Sequence, residues 1–150
     1  MGRWNPWTAL DARPDVVLRH APLAGTLIGL CDVGADGRGP ATITLACDLT
    51  RRERTAVLAH ELVHLERGGG IDYEGAPAAW NSVVAREERI VDREVACRLV
   101  PEAELRRFAR ARAGVDEPIT IDDVMEEWDV PEWVARDACV NQPRAGPPRA

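Results

Sequence analysis

The sequence predicts a small α+β domain in which a short β-sheet is followed by helices. Three short runs rich in β-branched residues lie in the first third of the chain, separated by turns that contain glycine and proline. From Thr50 onwards, apolar residues recur at helical spacing behind a capping pattern. The length of 150 residues and the hydrophobic content of 45% suit one domain with a sizeable core.

The N-terminal part of the chain predicts a short helix and then three strands. Asn5 can cap a helix that has Pro6 in its first turn, and this helix should run through Leu10 and end before Pro14. The turns between the β-rich runs favour a small antiparallel three-stranded sheet, paired as a meander in chain order. The runs are Val16 to Arg19, Thr26 to Cys31 and Ala41 to Leu45.

A long helix is expected from Thr50 to about Arg67. Thr50 and Glu53 form a capping box at its start, and the run of glycines from Gly68 stops it. One side of this helix carries a stripe of leucines that should face the core, namely Leu58, Leu62 and Leu65. The other side carries Val57, His60, Glu61 and His64.

The sequence His60-Glu61-Leu62-Val63-His64 is the H-E-x-x-H pattern of zinc peptidases. Side chains four residues apart share one face of a helix, so both imidazoles can bind the same ion. The intervening glutamate is then the general base that holds a metal-bound water. With three His and 13 Glu in 150 residues, random placement gives about 0.005 matches, so composition alone does not explain the pattern.

A third metal ligand is needed, because catalytic zinc usually has three protein ligands and one open position. A metzincin would have histidine at position 70, which is Gly70, so a carboxylate on a following helix is the remaining common solution. We expect that helix to be capped by Ser82 and to run to Val100. On it, Glu88 is predicted as the ligand and Asp92, on the same face, as the partner of one histidine, as on the glutamate helix of gluzincins. The other acidic candidates are Glu74, Glu87 and Glu94.

Helical patterns continue to the C-terminal part of the chain. They cover residues 101–113, 120–128 and 131–140. We therefore predict a single domain over residues 1–140, with a helical C-terminal subregion at about 102–140. Residues 141–150 are rich in proline, lack apolar anchors and are predicted to form a disordered tail.

The composition excludes several classes of protein. The net charge of −6 and the acidic C-terminal helices oppose docking on DNA, so no direct nucleic-acid contact is expected. No apolar run is long enough to span a membrane, and the N-terminus lacks the apolar segment of a signal peptide. A cytoplasmic location is therefore predicted, with the four cysteines as thiols in the core.

HELVH, followed after a gap by ERIVDREVACRLVP from Glu88 to Pro101, resembles the ImmA/IrrE family of metallo-endopeptidases. The resemblance implies a minimal zincin-like domain with one Zn²⁺. By position, it implies ligands at His60, His64 and Glu88 and a general base at Glu61. Members of that family cleave or inactivate helix-turn-helix repressors of phages, mobile elements or stress genes. The resemblance thus implies a protein substrate of this kind and a role in transcription regulation.

The predicted function is zinc-dependent cleavage of a protein substrate. Tyr73 is the first candidate for the hydrogen-bond donor to the oxyanion, and Arg86 is a second. An edge strand, Ala41 to Leu45, is predicted to pair with an extended substrate. The alternative is a non-proteolytic zinc-binding regulatory protein that sequesters a repressor. The intact ligand set and Glu61 favour catalysis over this alternative.

Overall fold

The computed structural model describes residues 2–34, 39–68, 81–112 and 118–140 of the chain. It confirms a small α+β domain, with a mixed sheet in the N-terminal part and helices after it. The strands are β1 (Val16–Ala21), β2 (Gly29–Asp32) and β3 (Ala41–Ala46). The helices are α1 (Pro6–Asp11), α2 (Arg51–Glu66), α3 (Asn81–Leu99), α4 (Glu102–Arg112), α5 (Ile121–Trp128) and α6 (Glu132–Val140).

The strand order in the described sheet is β1-β3-β2, so the strand that comes last in the sequence lies in the middle. Strand β2 is antiparallel to β3, but β1 is parallel to it, with Val16 opposite Ala41. The prediction of an antiparallel meander is therefore wrong for β1. The connection over residues 22–40 is long enough for the crossover that a parallel pair requires. A meander would have placed β2 in the middle, but β3 is the most buried of the three strands.

Helix α2 is the central element of the fold, and it is buried on more than one side. Its N-terminus has the predicted capping box, in which the Thr50 hydroxyl accepts from the Glu53 backbone N–H. The residues that pack on the sheet are Val57, Leu58 and Leu62. Those that pack on the helices are Ala56, Ala59 and Val63. The prediction that only the leucine side of this helix faces the core is therefore wrong, because Val57, which it places on the other side, is only 3% exposed.

Helix α3 packs against α2 and has the mixed face that the sequence predicts. Its buried apolar residues are Val91, Val95, Ala96 and Leu99. Asp92 lies one turn before Val95 and Glu88 lies two turns before it, and both residues are half-buried. The first half of the face is polar and the second half is apolar, so α3 joins the core and still presents carboxylates to α2. The prediction of Ser82 as the N-cap is wrong, because the helix already includes Asn81 and Ser82.

The C-terminal helices α4, α5 and α6 complete the larger of two apolar clusters, which also contains residues of α2 and α3. Asp129, between α5 and α6, has a left-handed backbone conformation with φ 53°. Its carboxylate forms ion pairs with Arg51 and with Arg52, whose Nε atom lies 2.7 Å from Oδ1. These ion pairs connect the turn between α5 and α6 to the first turn of α2. The predicted tail at residues 141–150 lies outside the described residues.

All four cysteines are free thiols, as the sequence predicts for a reducing compartment. Their predicted burial is wrong in two cases, because Cys47 and Cys97 are exposed. Cys31 and Cys139 are partly buried. Among the described residues, no helix combines the length and the apolar content that a membrane crossing needs.

Candidate metal centre

Helices α2 and α3 bring the predicted metal ligands together. His60 and His64 follow each other on one face of α2, and their Nε2 atoms lie 3.0 Å apart. Glu88 of α3 reaches both imidazoles with one carboxylate. Its Oε2 atom lies 3.1 Å from Nε2 of His60, and its Oε1 atom lies 3.1 Å from Nε2 of His64. The ligand atoms of all three residues lie within 4.8 Å of one another.

This arrangement fits a metal ion. Ligand atoms bound to zinc at about 2.0–2.1 Å in a tetrahedron lie roughly 3.3 Å apart. The two imidazole Nε2 atoms lie 3.0 Å apart, and each lies 3.1 Å from one oxygen of the Glu88 carboxylate, so the separations are close to that distance. Two imidazoles and one carboxylate form a donor set that zinc takes in peptidases. In the part of the chain that the structure describes, His60, His64 and Glu88 therefore form a group that can hold one ion.

Asp92 contacts the far side of one predicted ligand. Its Oδ1 atom lies 3.0 Å from Nδ1 of His60, so this carboxylate accepts a hydrogen bond there and leaves Nε2 for the ion. Burial lowers the pKa of His60, but hydrogen bonds to Asp92 and Glu88, together with the charges of Glu61 and Asp92, raise it to about 9. The site therefore has a negative electrostatic environment that favours a cation.

Glu61 is buried beside these residues, with only 7% of its surface exposed. Burial raises the pKa of its carboxyl group, while the charges of His60 and His64 lower it and that of Glu88 raises it further. The mutual influence of these charges places Glu61 in the same site. A raised pKa makes a carboxylate a stronger proton acceptor than a solvent-exposed one.

Two neighbours of this site were not predicted from the sequence. The Trp133 ring on α6 meets the His60 ring edge to face, with centroids 6.4 Å apart. Gly29 of β2 lies under Glu61, so close that a side chain there would meet the carboxylate. Trp133 gives no recognisable signal in the sequence. Gly29 does give one, since a glycine inside a predicted strand often marks a close approach of another group.

A cavity of about 450 Å³ opens beside the metal centre. It reaches Val57, one turn before Glu61 on α2, and Trp133 on α6. Its other apolar walls come from Ile28, Leu49 and Pro131. The charged residues of its lining are Glu53, Glu132 and Arg136. Glu132 and Arg136 form an ion pair with each other, which leaves the cavity mainly apolar in character.

The remaining candidates that the structure describes lie outside the group of His60, His64 and Glu88. Glu87 pairs with Arg67, and Glu94 pairs with Arg98. Arg86 is exposed on α3. Tyr73 and Glu74 lie outside the described residues.

A family model matches the chain over residues 13–138, which span β1 to α6. It is a peptidase family, described as the IrrE N-terminal-like domain. The chain belongs to this family. The resemblance seen in HELVH and in the Glu88 helix is thereby confirmed, and the IrrE N-terminal-like fold carries the three-residue group described above. Membership suggests a metallopeptidase with a protein substrate. No curated protein and no solved structure matched the chain.

Proposed function

We propose that this chain is a zinc-dependent endopeptidase that cuts a helix-turn-helix transcriptional repressor. The observation that carries the proposal is the convergence of His60 Nε2, His64 Nε2 and the Glu88 carboxylate, at 3.0 to 3.1 Å, in a member of a peptidase family. The repressor as target follows from the family resemblance of the sequence. A structural zinc site is less consistent with this donor set, because such sites normally use four protein ligands, often cysteines.

Each residue of the site has a separate role in this proposal. His60, His64 and Glu88 hold the ion, and Asp92 fixes the tautomer and orientation of His60. When bound, zinc polarises the scissile carbonyl and lowers the pKa of a bound water. Glu61 accepts the proton of the attacking water on its carboxylate and then passes it to the leaving amine. Its burial, which raises its pKa, makes the carboxylate a stronger base for accepting that proton.

The oxyanion that forms during the attack requires a hydrogen-bond donor. Tyr73 is our first assignment for this donor, and Arg86 on α3 is the second. The substitutions Tyr73→Phe and Arg86→Ala test the two assignments separately. The variant that lowers kcat with unchanged zinc content identifies the donor.

An extended segment of the substrate is proposed to bind along β2. The sequence-based choice of Ala41–Leu45 as the edge strand is wrong, because β3 is paired on both sides. Strand β2 is an outer strand, and its residue Gly29 packs under Glu61. A peptide added to its outer edge would therefore run past the proposed general base. The neighbouring cavity, with Val57 and Trp133 in its wall, would receive an apolar side chain of that peptide.

The experiment that tests the function compares wild type with Glu61→Gln. The zinc-loaded proteins are incubated with a helix-turn-helix repressor encoded beside this chain in its genome, and the products are analysed by mass spectrometry. We expect a discrete cut with wild type, and loss of the cut with full zinc content in the variant. Glu126→Gln, an exposed substitution of the same type on α5, is the matched control. A stoichiometric complex without a cut would support the sequestration alternative instead.

A further inference from the structure

Gly29, the first residue of β2, faces α2 at the position of Glu61 and Val57. A Cβ atom built on Gly29 would lie 2.5 Å from Oε1 of Glu61 and 3.2 Å from its Cδ atom. It would also lie 2.5 Å from Cγ1 of Val57. These separations are well below van der Waals contact, so a side chain at position 29 would displace either the carboxylate or the helix.

The backbone conformation does not explain why this residue is glycine. Gly25, Gly34 and Gly68 have positive φ angles, which glycine adopts without a steric penalty. Gly29 is not among the residues with positive φ. Position 29 therefore requires glycine because Glu61 and Val57 occupy the space that a side chain would need.

Packing also sets the position of the Glu61 side chain. Glu61 is only 7% exposed, and Oε1 of its carboxylate lies in the space that a side chain at position 29 would need. The backbone of Gly29 therefore passes close to this carboxylate on the side of the sheet. A shift of a catalytic group by about 1 Å lowers the reaction rate, so a change at Gly29 that moves Glu61 should lower kcat.

We propose that Gly29 is a positioning residue for Glu61. Its missing side chain leaves the space in which the carboxylate lies against β2, close to the metal ligands. This inference rests on the proposed function, because that function gives Glu61 its role in proton transfer. The packing of Gly29 against Glu61 does not depend on peptide cleavage and can be tested without it.

The first test replaces Gly29 by alanine. Alanine keeps the backbone N–H and C=O of β2 but adds the Cβ atom that meets Glu61. We expect unchanged zinc content, KM within about twofold of wild type, and kcat lowered about 100-fold. Gly39→Ala is the matched control, because a Cβ there meets nothing within 4 Å, and it should leave all three quantities unchanged. An unchanged kcat for Gly29→Ala overturns the proposal.

The second test measures packing in zinc-free protein by thermal unfolding. Gly29→Ala should lower Tm in wild type and in Glu61→Gln, since glutamine has the same shape as glutamate. In a Glu61→Ala background the same substitution should lower Tm less, because the Glu61 atoms that meet the new Cβ are absent and only the contact with Val57 remains. An equal decrease in all three backgrounds overturns the proposal. This cycle gives its answer even if wild type cleaves no substrate, so the two hypotheses can fail separately.

If Gly29→Ala does not fold, a second substitution separates its two contacts. Val57→Ala removes the Cγ1 atom that the new methyl group would meet, but it leaves Glu61 in place. In the double variant we expect a folded, zinc-binding protein whose kcat stays low compared with Val57→Ala alone. Recovery of kcat together with folding would show that position 29 matters only for core packing and would overturn the proposal.

Discussion

His60 and Asp92 are linked across two helices, with Nδ1 of the imidazole 3.0 Å from Oδ1 of the carboxylate. The histidine belongs to α2 and the aspartate to α3, one turn after Glu88. Helix α3 therefore supplies both a proposed ligand and the group that orients another ligand. This coupling means that a change at Asp92 should act on the metal through His60.

Replacing Asp92 by alanine should weaken zinc binding about 10- to 100-fold, because His60 loses the acceptor that fixes its ring. The measurement is a competition titration with a chelator of known affinity. Glu94→Gln, two residues further on α3, is the control, since Glu94 pairs with Arg98 rather than with the site. Equal zinc affinity in Asp92→Ala and wild type would contradict this role.

Zinc should stabilise the fold as well as the site, because its ligands come from both α2 and α3. At a free zinc concentration 100 times the Kd, binding adds about 2.7 kcal/mol to the free energy of unfolding. For a domain of this size that corresponds to an increase in Tm of roughly 5–10 °C, which differential scanning calorimetry can measure. Removal of zinc by chelator should reverse the increase, and His64→Ala should show none. A Tm independent of zinc in wild type would argue against this site.

The capping box at the start of α2 should give a pH-dependent contribution to stability. Hydrogen bonds from the Thr50 hydroxyl and backbone N–H lower the pKa of Glu53 below 4.5. Because the pKa is lower in the folded state, the ionised carboxylate stabilises the fold above about pH 4.5, and this contribution disappears as the pH falls through the lowered value.

Glu53→Ala should therefore cost about 1 kcal/mol at pH 7 and clearly less at pH 3. The measurement is the free energy of unfolding in urea at both pH values. Glu53→Gln is the matched control, since glutamine can keep the hydrogen bonds of the box without the charge. A cost for Glu53→Ala that is the same at pH 3 and pH 7 would show that the charge contributes nothing.

Asp129 should tolerate glycine better than alanine. Both substitutions remove the ion pairs with Arg51 and Arg52, but only alanine has a Cβ atom in a left-handed conformation, with φ 53°. Asp129→Ala should therefore be about 1 kcal/mol less stable than Asp129→Gly in urea unfolding. Asn is also tolerated in this conformation, so Asp129→Asn should fall closer to glycine. Equal stability of the alanine and glycine variants would contradict the assigned strain.

The parts of the structure that depend on local sequence were predicted well. Helix α2 begins at its capping box and α1 at Asn5 and Pro6, because a cap is formed by residues within one turn of each other. The shared face of Glu88 and Asp92 also follows from helical periodicity. The grouping of Glu88 with the two histidines followed from the donor set that catalytic zinc takes in peptidases, not from a predicted contact between α2 and α3.

The parts that depend on distant contacts could not be predicted in the same way. The alternation of a strand is the same whether it pairs parallel or antiparallel, so the position of β3 in the middle was not visible in the sequence. Trp133 lies over 70 positions from His60, and no periodicity relates residues so far apart. The burial of Val57 has the same cause, because it depends on where the sheet crosses α2.

The position of β3 also determines the order in which this protein can form during synthesis. Both outer strands pair with β3, and neither pairs with the other in the described sheet. Before synthesis has passed residue 40, β1 and β2 therefore have no partner strand in this sheet. The sheet can close only when Ala46 has emerged, shortly before the helix with the histidines. Nascent chains stalled before that point should remain sensitive to proteases along both strands.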